Sequence, residues 1–437
     1  MNMQDQLQKL ADAVSALEGS KARARLLQLF DEGTFVEIDR LTRDGDKPAE
    51  AVAGYGTVDG SPVYAFAQDR DVCCGAIGRA QGAKIRRVYE LAAQNGAPVV
   101  GVFDSDGAKL GEGIDAMDAI AEILLASNNL SGVVPQIAVV AGACVGSSAI
   151  VAASADVVVA AKDADYYLNP GDENAVASVV AEDAQAAIEQ ARGLLRLLPA
   201  NNLAVPVAYE FDNAAMGACE EIGGVIDAVA DADTVIRLGE GACETALARV
   251  GGAVCGLVTL AEEKLSCCSS SRVARFVRLC DGFSIPVVTF VDAAGFAGLK
   301  GAAKVSQAYA EATTAKITVI VGKAYGAAYI AVAGKSAGAD AVLAWPTATV
   351  LPLAPEAAIH IFWKERLAAM SNPAEDRKKL AAEYAQTEGS VFTAAAEGAV
   401  TDVIAPAETK AKLMAMLEML SSKRVTRLPK KHANMQL

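Results

Sequence analysis

Residues 317–329, ITVIVGKAYGAAY, decide the fold of this chain. Consecutive strand-forming residues are followed by a lysine, an aromatic residue and three small residues, which predicts a buried strand leading into a helix. Gly326 and Ala327 would then present backbone N–H groups at a helix N-terminus, where donors lack intrahelical partners and the helix dipole favours negative charge. The stretch therefore has the outline of an oxyanion site, although a tight turn without a ligand is the better explanation of one isolated strand–glycine–helix unit.

The same stretch occurs a second time in the chain. Residues 137–148, IAVVAGACVGSS, match residues 317–328 position for position, which places Gly146 on Gly326. The segments upstream also match: 98–104 with 286–292, and 84–91 with 272–279. The chain is therefore predicted to be an internal duplication, and two related halves predict two related sites.

Composition excludes several classes of function. A net charge of −14 argues against nucleic acid or an anionic membrane as the main partner. Only two histidines, His360 and His432, are present, so a Ser–His triad or a site with several histidine ligands is not expected. No G-x-x-x-x-G-K-[ST] sequence occurs, which excludes a P-loop. Any reaction must then depend mainly on preorganised backbone dipoles.

The cysteines and the apolar segments indicate a cytoplasmic protein. Nine cysteines include no C-x-x-C, and an odd number cannot close completely into internal disulfides, so we expect a reducing compartment and no structural zinc. Residues 132–155 carry no charge over a length that could cross a bilayer. Pro135 and the clustered glycines in this segment favour a buried core instead.

The order of the predicted elements indicates an α/β fold with parallel sheets, because strands alternate with helices. The predicted elements are a helix within 1–31, strands at 51–55 and 63–68, a helix at 182–198, a linker at 199–240, a strand at 253–260 that opens the second repeat, and helices at 357–384 and 407–421.

The repeated strand-to-helix motifs, together with other segments, make the chain resemble the biotin-dependent acyl-CoA carboxyltransferases. That family comprises the carboxyltransferase subunits of propionyl-, acetyl- and methylmalonyl-CoA carboxylases and of the sodium-pumping acyl-CoA decarboxylases. The matching segments extend over nearly the whole chain: 31–38 (DEGTFVEI), 54–60 (GYGTVDG), 131–137 (SGVVPQI), 291–296 (VDAAGF), 323–329 (KAYGAAY), 344–348 (AWPTA) and 430–434 (KKHAN). So many spaced matches are far more specific than one glycine motif.

The resemblance implies an α/β fold of two tandem crotonase-like (ClpP/crotonase) domains. We place the boundary between residues 205 and 206, with the acyl-CoA side in 1–205 and the biotin side in 206–437. On the biotin side, the backbone amides of Gly326 and Ala327 would hold the ureido oxygen of biotin. Lys323 and Tyr325 belong to the same motif and are expected to bind this cofactor.

On the acyl-CoA side, the resemblance implies that the amides of Gly146 and Ser147 hold the thioester oxygen of the substrate as an enolate. The opposing donors of the two sites would come from the loops after the central strands, at Gly107 and Ala108 in the first half and at Gly295 and Phe296 in the second. No histidine base is needed, because the biotin enolate itself can take the α-proton.

The resemblance also implies partners. The chain contains no Met-Lys-Met biotinylation sequence and nothing like an ATP-grasp carboxylase. Biotin is therefore expected on a separate biotin carboxyl carrier protein, loaded by a biotin carboxylase or used by membrane decarboxylase subunits, with coenzyme A as part of the substrate and no metal. A homodimer is expected, and a hexamer built as a trimer of dimers is the next level of assembly.

The sequence departs from the family pattern near both sites. The loop after Phe296 is about ten residues shorter than the family's, a block after Leu168 is missing, and Asp106 adds a negative charge where the family has glycine. Two alternatives therefore stay open beside an active carboxyltransferase. One is a catalytically degenerate subunit that assembles with an active relative, and the other is a biotin-independent crotonase-type enzyme acting on a CoA thioester.

Overall fold

The chain folds into two compact units, Met1–Val205 and Pro206–Leu437. The computed structural model describes residues 3–15, 19–45, 47–49, 51–171, 177–206, 208–211, 216–239, 241–369, 373–432 and 434. Each unit has its own buried apolar core, built largely from alanine, valine, leucine and isoleucine.

The helices and strands of the first unit are α1 (Met3–Ser15), α2 (Lys21–Leu29), β1 (Val36–Ile38), β2 (Arg43–Asp44), β3 (Lys47–Pro48), β4 (Val52–Val58), β5 (Ser61–Ala67), α3 (Arg79–Asn95), β6 (Val99–Ser105), α4 (Ile114–Leu130), β7 (Gln136–Val145), α5 (Ser147–Ala153), β8 (Val157–Ala161), β9 (Tyr166–Tyr167), β10 (Val179–Ala181) and α6 (Ala184–Leu197).

Those of the second unit are α7 (Val225–Val229), β11 (Ile236–Gly239), β12 (Thr245–Val250), β13 (Ala253–Leu260), α8 (Cys267–Gly282), β14 (Val287–Ala293), α9 (Leu299–Glu311), β15 (Lys316–Tyr325), β16 (Ala341–Ala344), β17 (Thr349–Leu351), α10 (Pro355–Phe362), α11 (Lys364–Ala368), α12 (Pro373–Thr387), α13 (Val391–Ala396), β18 (Asp402–Val403) and α14 (Thr409–Leu420).

The two units share one sheet topology. The strand order is β1-β4-β5-β6-β7-β8-β10 in the first unit, with β9 added to β7. It is β11-β12-β13-β14-β15-β16-β18 in the second unit, with β17 added to β15. In both sheets the first two strand pairs are antiparallel and the remaining pairs are parallel. The predicted α/β class and the internal duplication are therefore confirmed.

Three of the predicted elements are wrong in extent. The helix predicted within 1–31 is two helices, because Gly19 takes a left-handed φ of +93° and Ser20 caps α2 by accepting the Arg23 N–H. The helix predicted at 357–384 is α10, α11 and α12, with residues 370–372 outside the described part. Its first break is at Trp363, whose indole packs edge-on against Tyr384.

The predicted linker 199–240 is wrong as well, because it contains α7 and β11. β11 pairs antiparallel with β12, as β1 pairs with β4 in the first unit. The second repeat therefore begins well before residue 253, where the sequence pattern had placed it.

An aspartate that caps a hairpin shows how far the repeat extends. In the first unit, the Asp31 carboxylate accepts the backbone N–H groups of Asp59 and Gly60 at 3.1 and 2.9 Å, in the turn that joins β4 to β5. Arg192 of α6 pairs with the same carboxylate at 3.1 Å. These bonds tie the hairpin to a helix from the far end of the unit.

The second unit contains the same arrangement. The Asp231 carboxylate accepts the N–H groups of Gly251 and Gly252 at 3.0 and 2.7 Å, and Lys410 of α14 pairs with it at 3.0 Å. Asp231 lies in the segment that was predicted to be a linker. The duplication thus includes the entry hairpin and the closing helix of each unit.

The first prediction concerns the acid stability that Asp31 contributes. Its pKa is lowered from 3.8 to about 2, chiefly by the Gly60 N–H. A lowered pKa contributes stability that is present above the unfolded value and lost as the pH falls through the folded one. We expect wild type to unfold at higher urea than Asp31→Asn at about pH 6, and the gap to shrink between about pH 4 and about pH 2.

Glu32→Gln, at an exposed carboxylate beside Asp31, is the matched control for a change of net charge. A difference between wild type and Asp31→Asn that stays constant over the whole pH range would contradict this account of the Asp31 cap.

Candidate active site

The strand-to-helix turn of the first unit is present as predicted. β7 ends at Val145, Gly146 follows with φ +60° and ψ −125°, and α5 begins at Ser147. Only glycine adopts these angles without strain. The Gly146 N–H donates to the carbonyl oxygen of Tyr167 at 3.0 Å. The Ser147 N–H has no acceptor among the residues that the structure describes, so Ser147 rather than Gly146 offers the free donor.

The loop after β6 lies beside this turn. Gly107 has a φ of +96°, and a methyl group built on it would lie 3.6 Å from the Ser147 nitrogen and 3.3 Å from the Ser147 Oγ. The Gly107 N–H is used locally, because it donates to Ser105 Oγ at 3.1 Å. The structure thus brings together the two segments that carry the four predicted residues of this half.

Ile77 holds this loop from the other side. Its N–H donates to Gly107 O at 2.7 Å, and its carbonyl accepts the Lys109 N–H at 3.0 Å. The Ala108 N–H between these two bonds has no acceptor in the described part of the chain. Ala108 and Ser147 are therefore open backbone donors among the described residues, one in the loop and one in the turn.

The second unit repeats the turn. Gly326 follows β15 with a φ of +44°, and its N–H donates to Leu351 O at 2.9 Å. The Ala327 N–H has no acceptor within the described ranges. The helix that follows soon becomes a π-helix, Tyr329–Ala333. Because this helix and α5 are both short, the predicted contribution of a helix dipole is small, and the N–H groups themselves are the chemically relevant feature.

The second unit also repeats the two backbone hydrogen bonds that Ile77 makes to the donor loop. The Leu265 N–H donates to Gly295 O at 2.9 Å, and the Ala297 N–H donates to Leu265 O at 2.9 Å. The Phe296 N–H lies between these bonds and has no acceptor among the described residues. Phe296 and Ala327 thus correspond to Ala108 and Ser147, and each unit offers one open donor from the loop and one from the turn.

The two side chains expected to bind a cofactor differ in their surroundings. Lys323 is partly exposed, and its Nζ pairs with Glu263 Oε2 at 2.6 Å, which raises the pKa of Lys323. Tyr325 is buried, with its hydroxyl 2.9 Å from Thr349 Oγ1, and burial raises its pKa. The Tyr325 phenol therefore lies in an internal packing cluster with Tyr384, away from solvent.

Sequence reasoning missed the charged side chains that support these loops. Arg70 pairs through Nε with Asp106 Oδ1 at 2.9 Å, so the negative charge of Asp106 is compensated. Asp104 and Asp292 bridge from one central strand to the next. The match of Asp104 with Asp292 in the two repeats was the available signal, whereas nothing in the sequence linked Arg70 to Asp106.

Comparison with known proteins identifies the family. A family model described as a carboxyl transferase domain matches residues 18–171 and 170–435. The chain belongs to this carboxyltransferase family. It is similar to the methylmalonyl-CoA decarboxylase subunit alpha of Propionigenium modestum, at 33% identity over 95% of this chain and 93% of that protein. It is also similar to the propionyl-CoA carboxylase beta chain of Saccharopolyspora erythraea, at 34% identity over 95% and 90%.

A solved structure has the same fold. The transcarboxylase 12S structure, described as a hexamer assembly with hydrolysed methylmalonyl-coenzyme A bound, superposes with a TM-score of 0.91 at 31% identity. The match covers 100% of this chain and 99% of that one. The expected architecture of two tandem α/β domains is thereby confirmed, and the chain is an enzyme of the carboxyltransferase class.

Two further findings concern metal-binding clusters and membrane-spanning helices. Within the described ranges, no group of three or more histidine, cysteine, aspartate or glutamate side chains could hold a metal ion. Among the described helices, none is long and apolar enough to cross a membrane.

The second prediction tests the position of Tyr325. Tyr325→Phe removes the hydroxyl that bonds to Thr349, so we expect a loss of about 0.5–1.5 kcal/mol in the free energy of unfolding. Carboxyl transfer should change less than about twofold, because the phenol is buried and already paired. Chemical denaturation and steady-state kinetics measure the two effects.

Thr349→Val is the matched control, since it breaks the same bond from the other side, and the double variant should lose little more than either single variant. A large rise in the KM for biotin in Tyr325→Phe would instead show that the phenol contacts the cofactor.

Proposed function

We propose that this carboxyltransferase moves a carboxyl group between biotin on a separate carrier protein and an acyl-CoA, in a carboxylase or, in reverse, in a decarboxylase. One observation carries the proposal: each unit presents a pair of open backbone donors, Ala108 with Ser147 and Phe296 with Ala327. The relatives named above are components of propionyl-CoA carboxylase and methylmalonyl-CoA decarboxylase. Two sites on one duplicated chain suit a transfer between two different carbonyl compounds.

In the first unit, the donors would act on the thioester oxygen of the acyl-CoA. Negative charge builds on that oxygen when the α-carbon becomes an enolate, and N–H groups held by the surrounding backbone need no reorganisation to meet it. Such a donor is worth about 3 kcal/mol of transition-state stabilisation. Ala108 is held by the bonds to Ile77 on either side, and Ser147 is held by the Gly146 turn. The donors are therefore preorganised before substrate arrives.

In the second unit, Phe296 and Ala327 would hold the ureido oxygen of biotin. Bound biotin supplies a ureido nitrogen that carries the carboxyl group between the carrier protein and the substrate. The residues present fit this group, because two N–H donors lack acceptors in the described chain and Ala327 is an exposed small residue. Lys323 lies in the same motif, and its pair with Glu263 would provide a charged contact for the carrier or the cofactor.

The electrostatics of the first site support an active enzyme over a degenerate subunit. Asp106 precedes the donor loop, and an uncompensated carboxylate there would oppose a developing oxyanion. Arg70 compensates that charge at 2.9 Å, and Arg25 does the same for Asp104 at 2.8 Å. Both open donors of the site are retained beside these pairs.

The third prediction tests the function itself. The purified chain, incubated with free biotin and labelled methylmalonyl-CoA or malonyl-CoA, is expected to release the label as CO2 only when biotin is present. Biotin-independent turnover would favour a crotonase-type enzyme acting on the thioester alone. No turnover under either condition, with the protein folded, would favour a degenerate subunit.

The fourth prediction tests the donor in the second unit. Ala327→Val keeps the N–H but adds two methyl groups where a planar ureido ring must approach. Misplacement of about 1 Å costs about 10²-fold in rate, so we expect a loss of that size in biotin-dependent turnover. The melting temperature should change little, because Ala327 is exposed.

Ser147→Gly is the matched control in the first unit, since it keeps the N–H and removes bulk; its turnover should equal or exceed that of wild type. If Ala327→Val turned over as fast as wild type, the turn would be structural only and biotin would bind elsewhere.

The fifth prediction concerns assembly. We propose that the chain forms a homodimer and can build a hexamer, the assembly described for the similar transcarboxylase 12S. Light scattering at micromolar concentration should give a mass that is a multiple of the 44.9 kDa chain. A mass of one chain under these conditions would overturn the proposal.

A further inference from the structure

One aspartate occupies the same place in both units. Asp104 is the sixth residue of β6, and Asp292 is the sixth residue of β14. Asp104 Oδ1 accepts the N–H of Ala143 at 3.1 Å, and Asp292 Oδ1 accepts the N–H of Lys323 at 2.8 Å. Each bond crosses from the aspartate's own strand to the neighbouring parallel strand, β7 or β15.

The strands lose register at this point. Phe103 pairs with Val140 and Ser105 with Cys144, so two steps along β6 correspond to four along β7. The same shift separates the pairs Val291–Ile320 and Ala293–Ala324 of the second unit. A bulge of this kind leaves backbone groups without ladder partners, and an unpaired buried N–H is costly. The aspartate carboxylate supplies the missing acceptor.

A glycine makes room for the carboxylate in each unit. A methyl group built on Gly142 would lie 2.4 Å from Asp104 Oδ1, and one built on Gly322 would lie 2.4 Å from Asp292 Oδ1. Heavy atoms cannot approach so closely, so neither glycine can be replaced while the carboxylate stays in place. The aspartate and the glycine are therefore one structural device that the repeat has kept twice.

The position of this bond relates it to the open donors. Asp104 lies four residues before Ala108, and Ala143 lies four residues before Ser147. The bond thus joins the two chain segments at points that each precede a donor of the site by four residues. In the second unit, Asp292 and Lys323 likewise lie four residues before Phe296 and Ala327. In both units the carboxylate bridge ties the strand that leads to the loop donor to the strand that leads to the turn donor.

We propose that Asp104 and Asp292 are positioning residues for carboxyl transfer. Each carboxylate sets the separation of the two backbone donors in its unit, and neither needs to touch the substrate. The expected effect of these residues on the rate rests on the proposed function. Their structural effect is independent of that function and can be measured in the protein without ligand.

The test compares alanine and asparagine variants at both positions. Asparagine keeps the Oδ1 acceptor and loses the charge, whereas alanine loses the acceptor. In the biotin-dependent decarboxylation of methylmalonyl-CoA, Asp104→Ala and Asp292→Ala should lower kcat about 10²-fold, with KM changed less than about threefold. Asp104→Asn and Asp292→Asn should recover most of that loss.

Hydrogen exchange provides the readout that does not depend on activity. In Asp104→Ala, the hydrogen-bonded amides within residues 105–109 and 143–148 should exchange faster than in wild type, and Asp104→Asn should restore their protection. The corresponding segments for Asp292→Ala are 293–297 and 323–328. Asp31→Ala and Asp231→Ala are the controls, because each also removes a carboxylate that accepts two backbone N–H groups. They should lower the melting temperature and leave kcat unchanged.

Unchanged exchange in the donor segments of Asp104→Ala and Asp292→Ala would overturn the positioning role, whatever the activity. Asparagine variants as slow as the alanine variants would overturn it too, because the acceptor would then be irrelevant. If wild type showed no biotin-dependent turnover, the proposed function would fail, and the exchange result would still decide the structural claim.

Discussion

In each unit, one side-chain carboxylate supplies the hydrogen-bond acceptor that the backbone cannot supply where two central parallel strands lose register. Asp104 does this between β6 and β7, and Asp292 does it between β14 and β15. A buried parallel sheet has no water to satisfy an unpaired N–H, so a register shift in its middle requires a built-in acceptor. The shift redirects the ends of the strands, and those ends lead to the loop and turn of the candidate site.

Beyond the shift, the backbone rather than the side chains forms the site. Ile77 and Leu265 each make two backbone hydrogen bonds to the donor loop, which leaves a single N–H between them open. The turns at Gly146 and Gly326 use their own glycine N–H internally and leave the next N–H open. Sites made of peptide groups tolerate changes of side chain, which explains how the same geometry persists in two halves whose side chains have diverged.

The two halves differ in what surrounds the donors. The first has Ser147 in the turn and an Asp106–Arg70 pair beside the loop, whereas the second has Ala327 and a Lys323–Glu263 pair. Compensated charges allow polar side chains to lie near a developing oxyanion without opposing it. A duplicated frame with diverged surroundings suits a reaction in which a carboxyl group moves between a thioester and a ureido group, each stabilised by its own pair of donors.

The sequence by itself determined the α/β class, the duplication and the segments that carry the site, because buried strands and glycine turns leave local patterns that survive in both repeats. The family resemblance added Gly107, Ala108, Gly295 and Phe296 as expected opposing donors, and the structure places Gly107 beside the Gly146 turn. The sequence misjudged the linker 199–240, since the Asp231 hairpin cap has partners 20 and more residues away. It also predicted one helix over 357–384, where the helix breaks at Trp363 and the Trp363 indole packs against Tyr384.

Only the tertiary structure decided which N–H groups are open. The Gly146 and Gly326 amides look like donors in the sequence, yet carbonyls of Tyr167 and Leu351, more than 20 residues downstream, accept from them. The same holds for Tyr325, whose hydroxyl is paired with Thr349, and for Asp106, whose charge is compensated by Arg70. Local sequence specifies the conformation of a turn, but a hydrogen bond's partner depends on which segments the sheet brings together.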